Sequence, residues 1–364
     1  MANLPRLKPD PIPPLHPVPE FLAEGELKAR YEDMKAVLRV PWMGVVMMSF
    51  AHYRAFYDAL WQGARTLCAS RDFTDACHRL RHLVEEKVSA LGPPPLRKRL
   101  AQIGYAQREL QEIDESIEIF SEGNFPYLLL ATLARLLLEG GELHTSHDIG
   151  IQTEPASPRT AGNLVLMEYH HADASTRLVF DDVKTALGLP FLNTDYRALA
   201  RWPSYFALAW ADLRPRLQRG EYETLVAEIH EAAVSTVRSL PNYGNLRGEA
   251  LRVTARSSAS EGEVLSVVRL FPVVAARSRG KRRFLSCAIA IADLYVARVN
   301  QARAYSFPPP RICRLPGELA ALFGREPRHA RSAAHAANTL QHARRQNDAS
   351  ICWHRPDEAR IARR

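Results

Sequence analysis

Cysteine is scarce, with five residues in 364, at positions 68, 77, 287, 313 and 352. The number is odd, the positions are scattered, and no two stand at CxxC spacing. That argues against a disulfide framework, weakens any zinc or thiol-redox reading, and suits a reducing cytoplasm. No apolar run approaches the roughly 18 residues a spanning helix needs, so no membrane association is expected. The first 20 residues, MANLPRLKPDPIPPLHPVPE, lack the apolar stretch of a secretory signal. Their seven prolines describe an extended arm, either loose or laid along the body.

Lysine is nearly absent from the last quarter. Residues 272–364 carry 18 basic side chains against 6 acidic ones, and 17 of the 18 are arginine, with Lys281 the exception. The chain's net charge of +8 therefore belongs to its tail, and the preceding residues are mildly acidic. Arg277 to Arg283 could meet phosphates, but no aromatic residues interleave with the cations, so a nucleic-acid groove is not favoured.

What the sequence does have is helical period, from residue 21 onward. Glu26–Leu38 carries Leu27, Tyr31, Met34, Val37 and Leu38 on one stripe. Pro41 should stop it. Helical material follows from Trp42 to Leu67, Asp72 to Leu91, Leu96 to Ile103 and Gln107 to Phe120. Gly123-Asn124-Phe125-Pro126 reads as a new start, with Asn124 as N-cap and proline in the first turn. Tyr127–Leu138 is apolar almost all round and is expected to be buried.

After a Gly-, Thr-, Ser- and His-rich linker over 141–172, the beginning returns. Phe180 to Phe191 lines up with Tyr31 to Trp42. Trp202–Tyr205 then pairs with Phe50–Tyr53 if three residues are inserted, and Ser266–Phe271 with Glu115–Phe120. The expectation is an all-α fold of two related helical half-domains around a central interface. Its parts are an arm (1–20), repeat 1 (21–140), a linker (141–172), repeat 2 (173–271) and an Arg-rich tail (272–364). After Phe271 the correspondence stops. The tail is either a natural extension or a reading-frame shift in a GC-rich gene that has cost the last helices.

The halves differ most just after the shared proline. Trp42-Met43-Gly44-Val45-Val46 is apolar, whereas Phe191-Leu192-Asn193-Thr194-Asp195 sets Asp195 opposite Val46. A carboxylate in an apolar slot is costly unless it is hydrogen-bonded or used. Either it serves chemistry, or Asn193 or Thr194 caps a helix whose first turn Asp195 favours electrostatically. Two His/acid clusters, His144–His147–Asp148 and Glu168–His170–His171–Asp173, have metal-ligand chemistry. They sit where polar linker residues are the norm, and no metal is expected.

Three motifs in order, Leu38-Arg39-Val40-Pro41-Trp42, Gly123-Asn124-Phe125-Pro126-Tyr127-Leu128-Leu129-Leu130 and Thr194-Asp195-Tyr196-Arg197-Ala198-Leu199-Ala200-Arg201-Trp202-Pro203, resemble the non-HAD-type D- and DL-2-haloacid dehalogenases. The resemblance covers about residues 21–271. It implies an all-helical, usually dimeric, cofactor-independent hydrolase that turns short 2-haloalkanoic acids into 2-hydroxy acids. Water attacks directly, with inversion at C2. Carried over, Asp195 is the general base and Asn124 the amide that orients the water. Trp42, Thr194 and Val45 line the substrate, Val45 standing where the family has an aromatic. Ser70 and Asp75 are loose counterparts of a hydroxyl and an acid found in some members, and Arg39 and Arg197 are candidate cations. The expected partners are the 2-haloacid, water and a second copy of the chain. The alternative is a helical relative without catalysis that binds a small carboxylate or a protein.

Overall fold

The computed structural model describes Leu4, Pro9 and residues 11–92, 96–144, 164–189 and 191–271, together with the backbone of 275–278 and 281–284. His147 and Asp148, most of the linker and nearly all of the tail lie outside the described residues.

The fold is all-α, and a few of its helices begin at a side-chain cap. Helix α1 (Gly25–Leu38) buries Leu27, Tyr31, Met34 and Leu38 along the expected stripe. It ends at Arg39, which takes the left-handed conformation at φ 59°. The apolar stretch after Pro41 is two helices, α2 (Val45–Phe50) and α3 (Arg54–Cys68), separated by a tight turn at 51–53. In α4 (Arg71–Ala90) the Ser70 hydroxyl accepts the Phe73 N–H at 3.3 Å. Helix α5 (Leu96–Gln102) is short.

Helix α6 (Gln107–Leu138) is the centre of the molecule. It runs 32 residues without a break, so Asn124 lies inside a helix and is not the N-cap expected of it. Pro126 lacks the N–H that would bond the Glu122 carbonyl, a defect that usually ends or kinks a helix. Burial overrides it here. From Phe125 to Leu138 every residue is buried, and α6 touches α2, α3, α4, α8, α10, α11 and α12. At the start of α6, Glu109 accepts the Ala106 N–H at 2.8 Å, one half of a capping box.

The second set is α7 (Ala174–Leu187), α8 (Thr194–Leu199), α9 (Pro203–Leu213), α10 (Gly220–Ser239), α11 (Gly248–Ser258) and α12 (Glu261–Leu270). Asp173 caps α7 through the Thr176 N–H at 2.7 Å, and Gly188 closes it at φ 65°. Ser260 caps α12 through the Glu263 N–H. A two-stranded antiparallel pair, β1 (Ala275–Ser278) and β2 (Lys281–Phe284), sets Arg277 opposite Arg282.

Local geometry recurs between the two sets. Asp33 accepts the Trp61 indole N–H at 2.8 Å and the Arg65 guanidinium. Asp182 accepts the Trp210 indole N–H at 2.7 Å and the Arg214 guanidinium. In each group the tryptophan stands 28 residues and the arginine 32 residues after the aspartate. Helices α1 and α7 have 14 residues each, α2 and α8 six, α4 and α10 twenty. Tyr53 precedes α3 as Trp202 precedes α9, with similar backbone angles. Tyr53 and Trp202 are separated by the same 149 residues as Asp33 and Asp182.

The described part of the proline-rich arm is laid along the body. The Val18 N–H donates to the Met48 carbonyl at 3.0 Å, while Tyr31 donates its hydroxyl to the Val18 carbonyl. Residues 164–169 do likewise on the other side, where the Met167 N–H donates to the Arg197 carbonyl at 2.9 Å. Further back, the Leu4 carbonyl meets the ring of buried His230 at 2.9 Å.

Candidate active site

Helices α2 and α8 each pack on α6, and each of the three carries one of the sequence-marked residues. Asp195 occupies the first turn of α8 with 3% of its surface exposed, and Thr194 beside it is also buried. Asn193 is the N-cap of α8, yet its side chain makes no capping bond, and its buried Oδ1 has no protein hydrogen-bond partner. That amide oxygen is a feature sequence reasoning passed over, since an N-cap asparagine normally bonds its own helix. Helix α8 packs on α6, which carries the half-buried Asn124, and α2, which begins with half-buried Val45, packs on α6 as well.

Trp42 packs on the middle of α6. Its indole lies edge-on to Phe120, with ring centroids 4.8 Å apart, and to Tyr127 at 6.1 Å. Between those two residues, the indole lies directly over the backbone of Gly123. A Cβ there would stand 2.8 Å from Cζ3 and closer still to Cη2. Glycine is thus required next to Asn124 by contact with Trp42, and helix termination has no part in it. Gly44 answers the same need on the other side, where a Cβ would come within 2.9 Å of the Tyr127 ring.

The Tyr127 hydroxyl donates to the Trp42 carbonyl at 2.6 Å. Burial pushes that hydroxyl well above the ordinary tyrosine range, so it keeps its proton and stays a donor. The surroundings of Trp42 on α6 are consequently apolar and aromatic, while α8 brings a buried carboxylate to the same helix.

The remaining candidates lie elsewhere or are already engaged. Arg197 donates to Glu168 at 2.7 Å, which offsets its charge. Asp75 pairs with Arg71 at the surface, and Ser70 is occupied as the cap of α4. Glu168, His170, His171 and Asp173 do not converge, and among the described residues no three His, Cys, Asp or Glu side chains are grouped to hold a metal. Asp173 is instead a helix cap. No helix among the described residues is long and apolar enough to cross a membrane.

A buried cationic group that the sequence did not reveal lies on the last turn of α6. Arg135, 1% exposed, and Arg269 both donate to Glu139 Oε1, at 2.9 and 2.8 Å. Burial works against the Glu139 charge, but the bonds from Arg269 and Arg135 outweigh it and hold its carboxyl below the usual range.

No protein-family model matches the chain. An (R)-2-haloacid dehalogenase of Rhizobium sp. (strain NHG3) is 48% identical over 250 residues, 68% of this chain and 97% of that protein. An (R)-2-haloacid dehalogenase of Pseudomonas putida is 34% identical over 265 residues, 71% of this chain and 87% of that protein. A solved D-2-haloacid dehalogenase in complex with L-LA superposes with a TM-score of 0.69 at 28% identity, covering 79% of this chain and 96% of that one. With identity of this level across nearly the whole of a relative, the chain belongs to the non-HAD-type 2-haloacid dehalogenase family, hydrolases of carbon–halide bonds.

Proposed function

We propose that the chain hydrolyses short 2-haloalkanoic acids of (R) configuration to 2-hydroxy acids, with Asp195 as general base and Asn124 as the group that orients the attacking water. The observation that carries this is a carboxylate 3% exposed, on a helix packed against the one that bears Asn124. Withdrawing a carboxylate from water costs several kcal/mol that neighbouring groups must offset, so its burial is not incidental.

The chemistry follows from these groups. A water between the two side chains gives its proton to Asp195 as its oxygen attacks C2. The new C–O bond forms as the carbon–halogen bond breaks, and the halide leaves with the bonding electrons. Because the attack is in line with the leaving group, configuration at C2 inverts. An amide holds the water without competing for its proton. Proton removal by a positioned base contributes roughly 10²–10⁴-fold, and orientation contributes more. Trp42, Thr194 and Val45 would line the substrate. No step calls for a cofactor or a metal.

The test is halide release from (R)- and (S)-2-chloropropionate by folded protein, with Asp195→Asn as control. Release from the (R) acid, yielding (S)-lactate and lost in the variant, is the expected result. Equal rates with Asp195→Asn would reject the base, and ligand-induced stabilisation without halide would favour a carboxylate-binding relative.

The matched Asp–Trp–Arg groups, helix lengths and straps support a duplicated architecture in which one site draws on both halves, Trp42 and Asn124 from the first and Asp195 from the second. On this reading residues 11–23 and 164–172 are equivalent straps and belong to their repeats. The family resemblance adds a homodimer, which light scattering would test.

A further inference from the structure

The peptide group joining Trp42 to Met43 is held at both ends by side chains from distant parts of the chain. Its carbonyl accepts the Tyr127 hydroxyl at 2.6 Å, and its N–H donates to Glu20 Oε1. The other oxygen of Glu20 accepts Lys35 Nζ at 2.7 Å, and Lys35 also reaches Glu32 at 2.9 Å. The Lys35 side chain is only 16% exposed, so this ion pair is screened less than a surface pair. Glu20 is itself placed by the strap, since Val18, two residues earlier, is bonded to Met48 of α2 and to Tyr31 of α1.

A peptide plane bonded at one end can still rotate. Bonded at both ends it cannot, and the indole attached at Trp42 is then fixed over Gly123, beside Asn124. We propose that Glu20 is a positioning residue for dehalogenation: its carboxylate, oriented by Lys35, locks the Trp42–Met43 peptide and thereby the indole face against which the substrate rests. Glu20 acts through this peptide and takes no part in the bond-making steps. Tyr127 alone holds only the carbonyl side, on α6. Glu20 ties the same peptide to α1 through Lys35, so the wall of the site is referenced to both helices. This inference rests on the dehalogenase reading and deepens it.

The experiment uses the full chain and compares Glu20→Ala with Glu20→Gln. Glutamine keeps an acceptor for the Met43 N–H and loses the charge, whereas alanine loses both. Loss of a hydrogen bond to a charged acceptor is expected to raise KM for (R)-2-chloropropionate about tenfold in Glu20→Ala, with a smaller change in kcat. Glu20→Gln should recover most of that loss. A readout free of activity is amide exchange of the peptide spanning residues 40–46, expected to be several-fold faster in Glu20→Ala than in wild type, with Glu20→Gln between.

Active wild type together with unchanged KM and kcat in Glu20→Ala, even at a lowered Tm, overturns the positioning role alone. Unchanged exchange over 40–46 overturns it too. Wild type that releases no halide overturns the dehalogenase reading and this role with it, so the two failures are distinguishable. Should Glu20→Ala not fold, Lys35→Met leaves the carboxylate but frees it, and a KM raised about threefold is then expected; an unaltered KM refutes the idea.

Discussion

The indole of Trp42 rests on the backbone of Gly123, so closely that this helix position has room for hydrogen and nothing larger. The contact joins the loop after α1 to the middle of α6 and would set the edge of the proposed site next to Asn124. It makes Gly123 a residue whose substitution should strike activity harder than stability.

Gly123→Ala adds one methyl where the indole already lies within 3 Å. Small-to-large changes in a packed core cost roughly 1–3 kcal/mol, although alanine's better helix propensity returns about 1 kcal/mol of it. Urea unfolding should therefore show a loss of a kcal/mol or two, while halide release falls at least tenfold because Trp42 must move. Full activity in this variant would contradict the close contact.

Glu139 carries two arginines, one of them almost completely buried. Glu139→Gln removes the charge that offsets Arg135, and breaking such a buried pair typically costs about 3 kcal/mol or more. The predicted consequence is a large drop in the urea midpoint. A change near zero would mean that Arg135 is satisfied without Glu139.

Asp33 offers a pH test. The hydrogen bond from Arg65, opposed by partial burial and aided by the Trp61 N–H, holds its carboxyl below the ordinary value of 3.8. A depressed folded value means that the stabilisation is complete above pH 3.8 and is lost as the pH falls through the lower folded value. Asp33→Asn should thus destabilise at neutral pH, and the difference from wild type should shrink in acid below that range. Asp33 is about one third exposed and its partner Arg65 half exposed, so the effect should be modest, about 1 kcal/mol, and should weaken in high salt. A gap that is constant down to strong acid would disprove the linkage.

Cys68 and Cys77 are buried and free, and burial raises both thiols well above their ordinary range. Thiolate is the reactive form, so neither should be labelled by a disulfide reagent in the native protein. Peptide mapping after brief exposure should find both unmodified, and both modified once the chain is unfolded in urea. Rapid native labelling of either would show that α3 and α4 open locally.

Much of this molecule was legible in its residues. The stripe Leu27–Tyr31–Met34–Leu38 announced α1, the all-round apolar run 127–138 announced burial, and the contrast of Val46 with Asp195 marked the carboxylate. These are local or periodic signals, and period survives folding because each helix must turn its apolar face inward. The family resemblance was likewise carried by short motifs and agrees with the relatives' identities.

The tertiary structure alone decided the rest. Gly123 and Pro126 read as a boundary because local propensity disfavours both inside a helix. Packing of α6 against seven neighbours outweighs that propensity and makes one helix of two. The Glu20–Met43, Trp61–Asp33 and Arg269–Glu139 bonds join residues 23, 28 and 130 positions apart, and no window on the sequence contains the reason for them. They exist because burial brings distant backbone and charged groups to the same place, where each must find a partner.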